Sequence, residues 1–166
     1  MYAVNGETNV TKWEYTPHDS ERIEGEITQN TNASGFRLPT VEEWRYAAKG
    51  GEDYKYAGSD NLDEVGWSRD NSDSRIHPVA QKKPNGYGLY DMSGNVREWA
   101  EDYEYKKYNV HTDYPTCGGD YGVNADYCEV GYVYSCNASV YKENDWSDYL
   151  HQNVGFRLVY PTSAIK

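Results

Sequence analysis

The sequence predicts an α+β fold, and three observations carry the prediction. Residues 40–50 hold a complete set of helix start and stop signals. Two other runs, 96–103 and 153–160, read as strands. The 166 residues are 37% hydrophobic with aromatics alone at 15%, which leaves too few aliphatic side chains for a stack of leucine-rich helices. The aromatic share is itself uneven, with 18 tyrosines against two phenylalanines. Tyrosine and tryptophan bury a large apolar body but need a partner for the polar tip, so a core built from them has polar margins and many turns. The length fits one domain, read as residues 1–166, large enough to bury a core of its own.

The first thirty or so residues alternate weakly and predict short strands or loop. In Thr40-Val41-Glu42-Glu43-Trp44 the threonine and the glutamate three residues later form a capping box, each side chain satisfying a backbone donor of the first helical turn. Val41, Trp44 and Ala48 fall on one face, Gly50 supplies the left-handed stop, and Pro39 ends the preceding strand. From Gly58 to Tyr87 the sequence is dense in Asp, Asn, Ser and Gly. It predicts an ordered irregular loop, with a short strand near His77-Pro78-Val79 and with Trp67, Val79 and Tyr87 anchored to a core. Turn dipeptides follow at Asn85-Gly86 and Ser93-Gly94. Val96 to Tyr103 alternates as a strand, and Asn153 to Tyr160 is a second strand. Between Tyr103 and Tyr149, where ten of the tyrosines lie, no period of either kind holds.

Charge and motifs narrow the function. With 27 acidic and 16 basic residues the formal net charge is −11, which argues against nucleic acid and anionic membranes, since phosphate binding rests on Lys and Arg. No run approaches the roughly 18 apolar residues of a spanning helix, and the start has neither the basic nor the apolar region of a signal peptide, so a soluble domain without membrane insertion is expected. Cys117, Cys128 and Cys136 allow at most one bridge. The four histidines show no paired metal spacing, and no P-loop, GxSxG or CxxC is present.

Several separated motifs agree in order with one family. Gly35-Phe36-Arg37-Leu38-Pro39-Thr40 with Glu43-Trp44, then Pro84-Asn85-Gly86-Tyr87-Gly88-Leu89-Tyr90-Asp91-Met92, Gly94-Asn95-Val96-Arg97-Glu98-Trp99, Gly118-Gly119 and Gly155-Phe156-Arg157 resemble the formylglycine-generating-enzyme or sulfatase-modifying-factor family. The resemblance implies a C-type-lectin-type fold: a small twisted antiparallel sheet, two helices and long irregular segments. It also implies a scaffold core of Phe36, Trp44, Trp99 and Phe156. The family's N-terminal strand and first helix have no match, so the chain is expected to begin partway into the usual domain. Members that oxidise a peptide cysteine hold copper with two nearby cysteines. Here Cys128 matches the second and Val123 stands in place of the first, and valine cannot ligate a metal. Cys128 reads better as a small buried hydrophobe.

The same stretch resembles more closely the variable proteins of diversity-generating retroelements, through Gly118-Gly119, Asn124-Ala125-Asp126-Tyr127-Cys128-Glu129-Val130-Gly131-Tyr132 and Gly155-Phe156-Arg157-Leu158-Val159. In that family adenine-directed mutagenesis scatters Tyr, Asp, Asn, Ser, Gly, Val and Ala over a binding surface and cannot produce Lys, Glu, Gln, Met or Trp there. Between Asp120 and Tyr141 the one excluded type is Glu129, while Lys142, Glu143, Trp146 and Gln152 would be fixed scaffold. Cys117 and the pair Asp120-Tyr121 depart from the family's Arg and Ser-Trp. The resemblance implies a non-enzymatic ligand-binding protein with a variable segment at 117–160, and an inactive divergent member or a copper-dependent oxidase as the competing readings.

A surface rich in Tyr, Ser, Gly, Asn and Asp has the composition of an antibody paratope. The candidate binding residues are Asp120, Tyr121, Gly122, Val123, Asn124, Asp126, Tyr127, Tyr132, Tyr134, Ser135, Asn137, Tyr141 and Tyr149. Tyr127 and Tyr132 read equally as core or surface; Tyr121, Tyr134, Tyr141 and Tyr149 read as exposed. The expected partner is a macromolecule, a protein by this composition, and a recognition role would favour a cell surface or a virion. No Glu-Pro-Asn or Gln-Pro-Asp tripeptide marks calcium-dependent sugar binding. In some enzymes of the family, however, a loop matching 91–98 binds calcium, which would make Asp91, Gly94, Val96 and Glu98 oxygen ligands of a structural calcium. A hydrogen-bonded turn with Glu98 paired to an arginine is the other reading of that loop.

Overall fold

The computed structural model describes residues 2–4, 27–29, 35–101, 113–137 and 153–160, with backbone alone for the strand residues 2–4, 27–29, 113–114 and 135–137. It divides into two compact units, Met1–Arg37 with Leu158–Lys166, and Leu38–Arg157. In the first, strand β1 (Tyr2–Val4) pairs antiparallel with β2 (Ile27–Gln29), Ala3 opposite Thr28. Arg37 and Val159 form an antiparallel bridge, each N–H donating to the other's carbonyl at 3.1 and 2.9 Å. The rings of Phe36 and Tyr160 meet edge to face at 5.1 Å.

The second unit contains the helix that the capping box predicts. Helix α1 runs over Val41–Lys49; the Glu43 N–H donates to Thr40 Oγ1 at 3.1 Å, and the Thr40 N–H to Glu43 Oε2 at 2.9 Å. It buries Val41, Trp44 and Ala48 and stops at Gly50, whose φ of 62° is left-handed. Its last carbonyls do not go unpaired. Asn85 is buried against them and donates from Nδ2 to Ala47 O at 2.7 Å and Ala48 O at 3.0 Å. The Asn85 Oδ1 meanwhile accepts from the N–H groups of Tyr87 and Leu89, both at 3.0 Å, so one side chain caps a helix and closes the Asn85-Gly86 turn.

A second, single-turn helix, α2 (Leu62–Val65), is capped by Asn61 and carries Leu62 and Val65 inward. Four strands complete the unit: β3 (Arg97–Trp99), β4 (Asp113–Cys117), β5 (Val133–Asn137) and β6 (Val154–Phe156), in sheet order β5-β4-β3-β6. The two β4 pairings are antiparallel, as expected, but β6 runs parallel to β3, with Trp99 opposite Phe156. One apolar cluster, with Trp44, Met92, Ala100, Cys117 and Val130, joins α1 to the sheet. A smaller one gathers Tyr56, Leu62, Val65 and Cys128.

Three expectations change. His77-Pro78-Val79 is not a strand: the Asn95 amide takes the place of a neighbouring strand, accepting from His77 N–H at 3.0 Å and donating to His77 O at 3.1 Å. Val79 and Tyr87 are exposed rather than anchored, while Trp67 stacks on His77 with centroids 3.7 Å apart. Of the supposed aromatic core only Trp44 is fully buried. Trp99 is half-buried, and Phe36 and Phe156 are 67% and 66% exposed, Phe156 because β6 is an edge strand. Residues 102 and 103 of the predicted strand lie outside the described residues.

Candidate functional site

The candidate segment leaves the sheet after β4 through Gly118 and Gly119. At Gly119 φ is +69°, and a methyl there would stand 2.6 Å from Tyr127 O and 2.7 Å from Cys128 Sγ. No other residue allows that turn against a single 3-10 turn at Ala125–Cys128. Next comes Asp120, which is fully buried and so is not part of a solvent face, contrary to its reading as a binding residue. Its carboxylate accepts from Arg97 Nε at 2.5 Å and from the Gly122 N–H at 2.7 Å, so it ties β3 to the first bend of the segment.

Beyond Asp120 the fastenings run to the main chain. The Tyr121 N–H donates to Asn95 O at 3.0 Å and Ser72 Oγ donates to Tyr121 O at 2.9 Å. Arg69 donates from Nε to Gly122 O and from its backbone N–H to Val123 O, each at 2.9 Å. At the far end the Val130 N–H donates to Lys55 O at 3.1 Å, and Arg45 Nη2 donates to Gly131 O at 2.8 Å. None of these bonds uses a side chain of residues 121–123 or 130–131. Asn95, with φ of 67°, is the hub: its side chain holds His77 while its backbone joins Trp67 O and Tyr121 N–H. Lys55 adds a side-chain fastening, 3.1 Å from both Asp126 Oδ1 and Glu129 Oε1, and these hydrogen bonds, with Asp126 first, raise its ammonium pKa. Glu129 thus belongs with Asp126 to a surface ion pair centred on Lys55.

Three tyrosines stand together above this frame. Tyr127 and Tyr132 meet at a right angle with centroids 5.1 Å apart, Tyr132 and Tyr134 at 4.8 Å, and Tyr127 and Tyr134 at 5.9 Å. Tyr127 and Tyr132 are 40% and 38% exposed, which decides both for the surface. Tyr134 is only half-buried. Its ring covers the Arg97 guanidinium at 4.3 Å, its hydroxyl is buried without a hydrogen-bond partner among the described residues, and burial raises its pKa. Asn124 and Asp126 are exposed, and Tyr121, Gly122 and Val123 are partly so; Val123 also packs against the smaller cluster. Ser135 and Asn137 belong to the β5 backbone, and Tyr141 and Tyr149 lie outside the described residues. The structure thus brings Tyr127, Tyr132 and Tyr134 together and removes Asp120 from the face. Arg97, Arg69, Arg45 and Asn95, which support the segment, escaped the sequence reading; the one signal was that Asn95 and Arg97 share a motif.

Cys117 and Cys128 are free, buried thiols, each pushed up to about 12 by burial. At Glu98 the arginine pair is formed: Arg157 donates from Nε at 2.5 Å and from Nη2 at 2.6 Å, and Trp44 Nε1 donates at 2.7 Å. Asp91, at φ 55°, accepts from the Ala80 N–H at 2.7 Å through Oδ2, and its Oδ1 is buried without a hydrogen-bond partner among the described residues. Gly94 is buried and Val96 half-buried. A calcium ion at the expected ligands would compete with the Arg157 guanidinium for Glu98, so the donor set in this arrangement does not fit the ion. Among the described residues no three His, Cys, Asp or Glu side chains gather as a metal site, and no helix is long and apolar enough to cross a membrane.

A mixed sheet with two helices and long irregular segments fastened back onto it defines an α+β domain of the C-type-lectin-like class. The chain belongs to the sulfatase-modifying factor enzyme 1-like domain family, whose model matches residues 9–161. The solved structure of Treponema denticola variable protein 1 is similar to it with a TM-score of 0.65 and 36% identity, over 80% of this chain and 50% of that one. The chaperone protein LppX of Paenibacillus barcinonensis is 40% identical over 102 residues, 49% of this chain and 36% of its own length. The formylglycine-generating enzyme of Mus musculus is 30% identical over 150 residues, 75% of this chain and 39% of its own. The chain therefore spans half, or less, of the length of each of these three proteins.

Proposed function

We propose that this chain is a non-enzymatic, receptor-type ligand-binding domain whose binding face is the Tyr127, Tyr132 and Tyr134 cluster with Tyr121, Asn124 and Asp126 beside it, and that it is a variable protein of a diversity-generating retroelement. The observation that carries the proposal is the division of labour within 118–134: most bonds that hold the segment reach its main chain, while Tyr127 and Tyr132 stand exposed in mutual contact. Rigid tyrosines give large amphipathic contact area at low entropy cost, and a protein partner suits them best. Similarity to a protein named variable protein 1 supports the same reading. The test compares sibling sequences from the same genome. Differences confined to exposed positions of 117–160, beside a near-identical repeat differing at adenines and a reverse transcriptase gene, are expected. Differences spread evenly along the chain would sink the retroelement reading.

A second reading, oxidation of a peptide cysteine with copper, rests on the similarity to formylglycine-generating enzymes. Against it stand Val123 in place of one cysteine and the two described thiols, whose burial disfavours the thiolates that a soft monovalent copper prefers. Copper-dependent turnover of a thiol peptide, abolished by Cys128→Ser, would decide for the oxidase.

A further inference from the structure

We propose that Tyr46 and Tyr87, rimmed by Glu42, Glu52 and Asp53, form a second docking site that takes a basic, proline-rich segment of a partner protein in polyproline II conformation. The rings come from different parts of the second unit, α1 and the Asn85–Leu89 turn, yet their centroids lie 5.7 Å apart with the planes at 46°. Tyr46 is 69% exposed and Tyr87 49%, so core packing does not account for their being aromatic. Both are held in place beforehand. Tyr46 sits on a helix with both ends capped, and the Tyr87 backbone is fixed by Asn85 Oδ1 at 3.0 Å. The close approach of Gly51, where an added methyl would stand 3.3 Å from the Tyr87 ring, fixes the ring's inner side. Binding to such a pair loses little side-chain entropy.

The chemistry of the pair selects the partner. Tyr87 donates its hydroxyl hydrogen to the Tyr46 oxygen at 3.1 Å, which leaves the Tyr46 O–H to donate outward. A polyproline II helix has no internal hydrogen bonds, so its carbonyls need such a donor, and its rings lie flat against aromatic faces. The rim is acidic. Glu42 lies one turn before Tyr46 on the exposed side of α1, Glu52 Oε2 accepts from the Gly86 N–H at 3.2 Å, and Asp53 is 3.2 Å from Lys49, the one cation among them. Three carboxylates against one lysine, on a chain of net charge −11, complement lysines or arginines flanking the prolines.

None of these residues belongs to 118–134, so failure here leaves the proposed function standing. The experiment measures binding of the full chain to an octaproline peptide flanked by two lysines at each end, against the same peptide with alternating Gly and Ser for proline. The proline peptide is expected to bind about tenfold tighter than the Gly-Ser peptide. Tyr46→Leu or Tyr87→Leu is expected to cost about tenfold, and Tyr46→Phe, which removes the outward donor, about two- to fivefold. Tyr127→Ser is expected to change nothing. Equal binding of the two peptides would mean that charge alone is read and would overturn the proposal. So would absence of binding at about 1 mM peptide, or undiminished binding by a Tyr46→Leu variant that melts like the parent. The comparison between peptides uses the unaltered protein and does not depend on any variant folding.

Discussion

Arg97 and Asp120 form an ion pair at 2.5 Å with side chains 6% and 1% exposed, so removing either leaves the other charged and buried. Asp120→Ala is expected to destabilise the protein by about 3–5 kcal/mol in urea unfolding, the cost typical of an orphaned buried charge. Tyr127→Ser and Tyr132→Ser, at half-exposed positions whose side chains fasten nothing, are expected to cost under about 1 kcal/mol in the same assay. Equal losses at 120 and 127 would refute the division between frame and face. Cys117 and Cys128 give a pH prediction. Their folded-state pKa is about 12 against 9.0 for a free thiol, so above pH 9 the unfolded chain loses protons that the folded one keeps. Their contribution to stability is full below pH 9 and is lost as pH rises towards 12. In a Cys136→Ser background, alkylation of the two thiols by iodoacetamide, read by mass, should be slow in native protein at pH 10 and fast in urea. None of these roles can be read from residue type. Asp120 looks like any acid in a polar loop, and only the fold places Arg97 beneath it.

At the scale of elements, legibility follows the range of the forces involved. Helix α1 was readable to the residue because Thr40, Glu43 and Gly50 act within a few positions of one another. The supposed strand at 77–79 failed because its backbone partner is a side chain eighteen residues away, Asn95. The Asn85 bonds to α1, 37 and 38 residues distant, were equally hidden, although the Asn85-Gly86 turn was not. Asn85→Ala would strand the Ala47 and Ala48 carbonyls, at an expected cost of about 1–3 kcal/mol. Hydrogen exchange should locate that loss in the last turn of α1 and the 86–89 turn rather than in the sheet.

For the molecule as a whole, composition was informative about charge and misleading about aromatics. A net charge of −11 and a pI near 4.7 imply self-repulsion at neutral pH. Raising salt from about 10 mM to 150 mM shortens the Debye length from roughly 30 to 8 Å. The melting temperature should then rise by roughly 2–4 °C, for a gain of about 1 kcal/mol at this size. A fall would mean that surface ion pairs outweigh the repulsion. Phenylalanine, scarce here, was expected inside, yet both phenylalanines are largely exposed, while a valine, a methionine and two cysteines are among the residues that fill the described interior. The motifs that carry the family likeness specify backbone turns as much as they specify a core.

The bonds to peptide groups along 121–131 have a consequence for anyone wishing to change what this protein recognises. A peptide N–H or C=O is the same whichever residue bears it, so apart from the Lys55 bridge to Asp126 and Glu129 the frame grips this stretch without reading its spelling. Randomising codons 121, 124, 127 and 132 together, while keeping Gly119, Asp120, Asp126, Cys128, Glu129 and Val130, should yield a library in which most members fold. Such a library would be a supply of new binders drawn from a single scaffold.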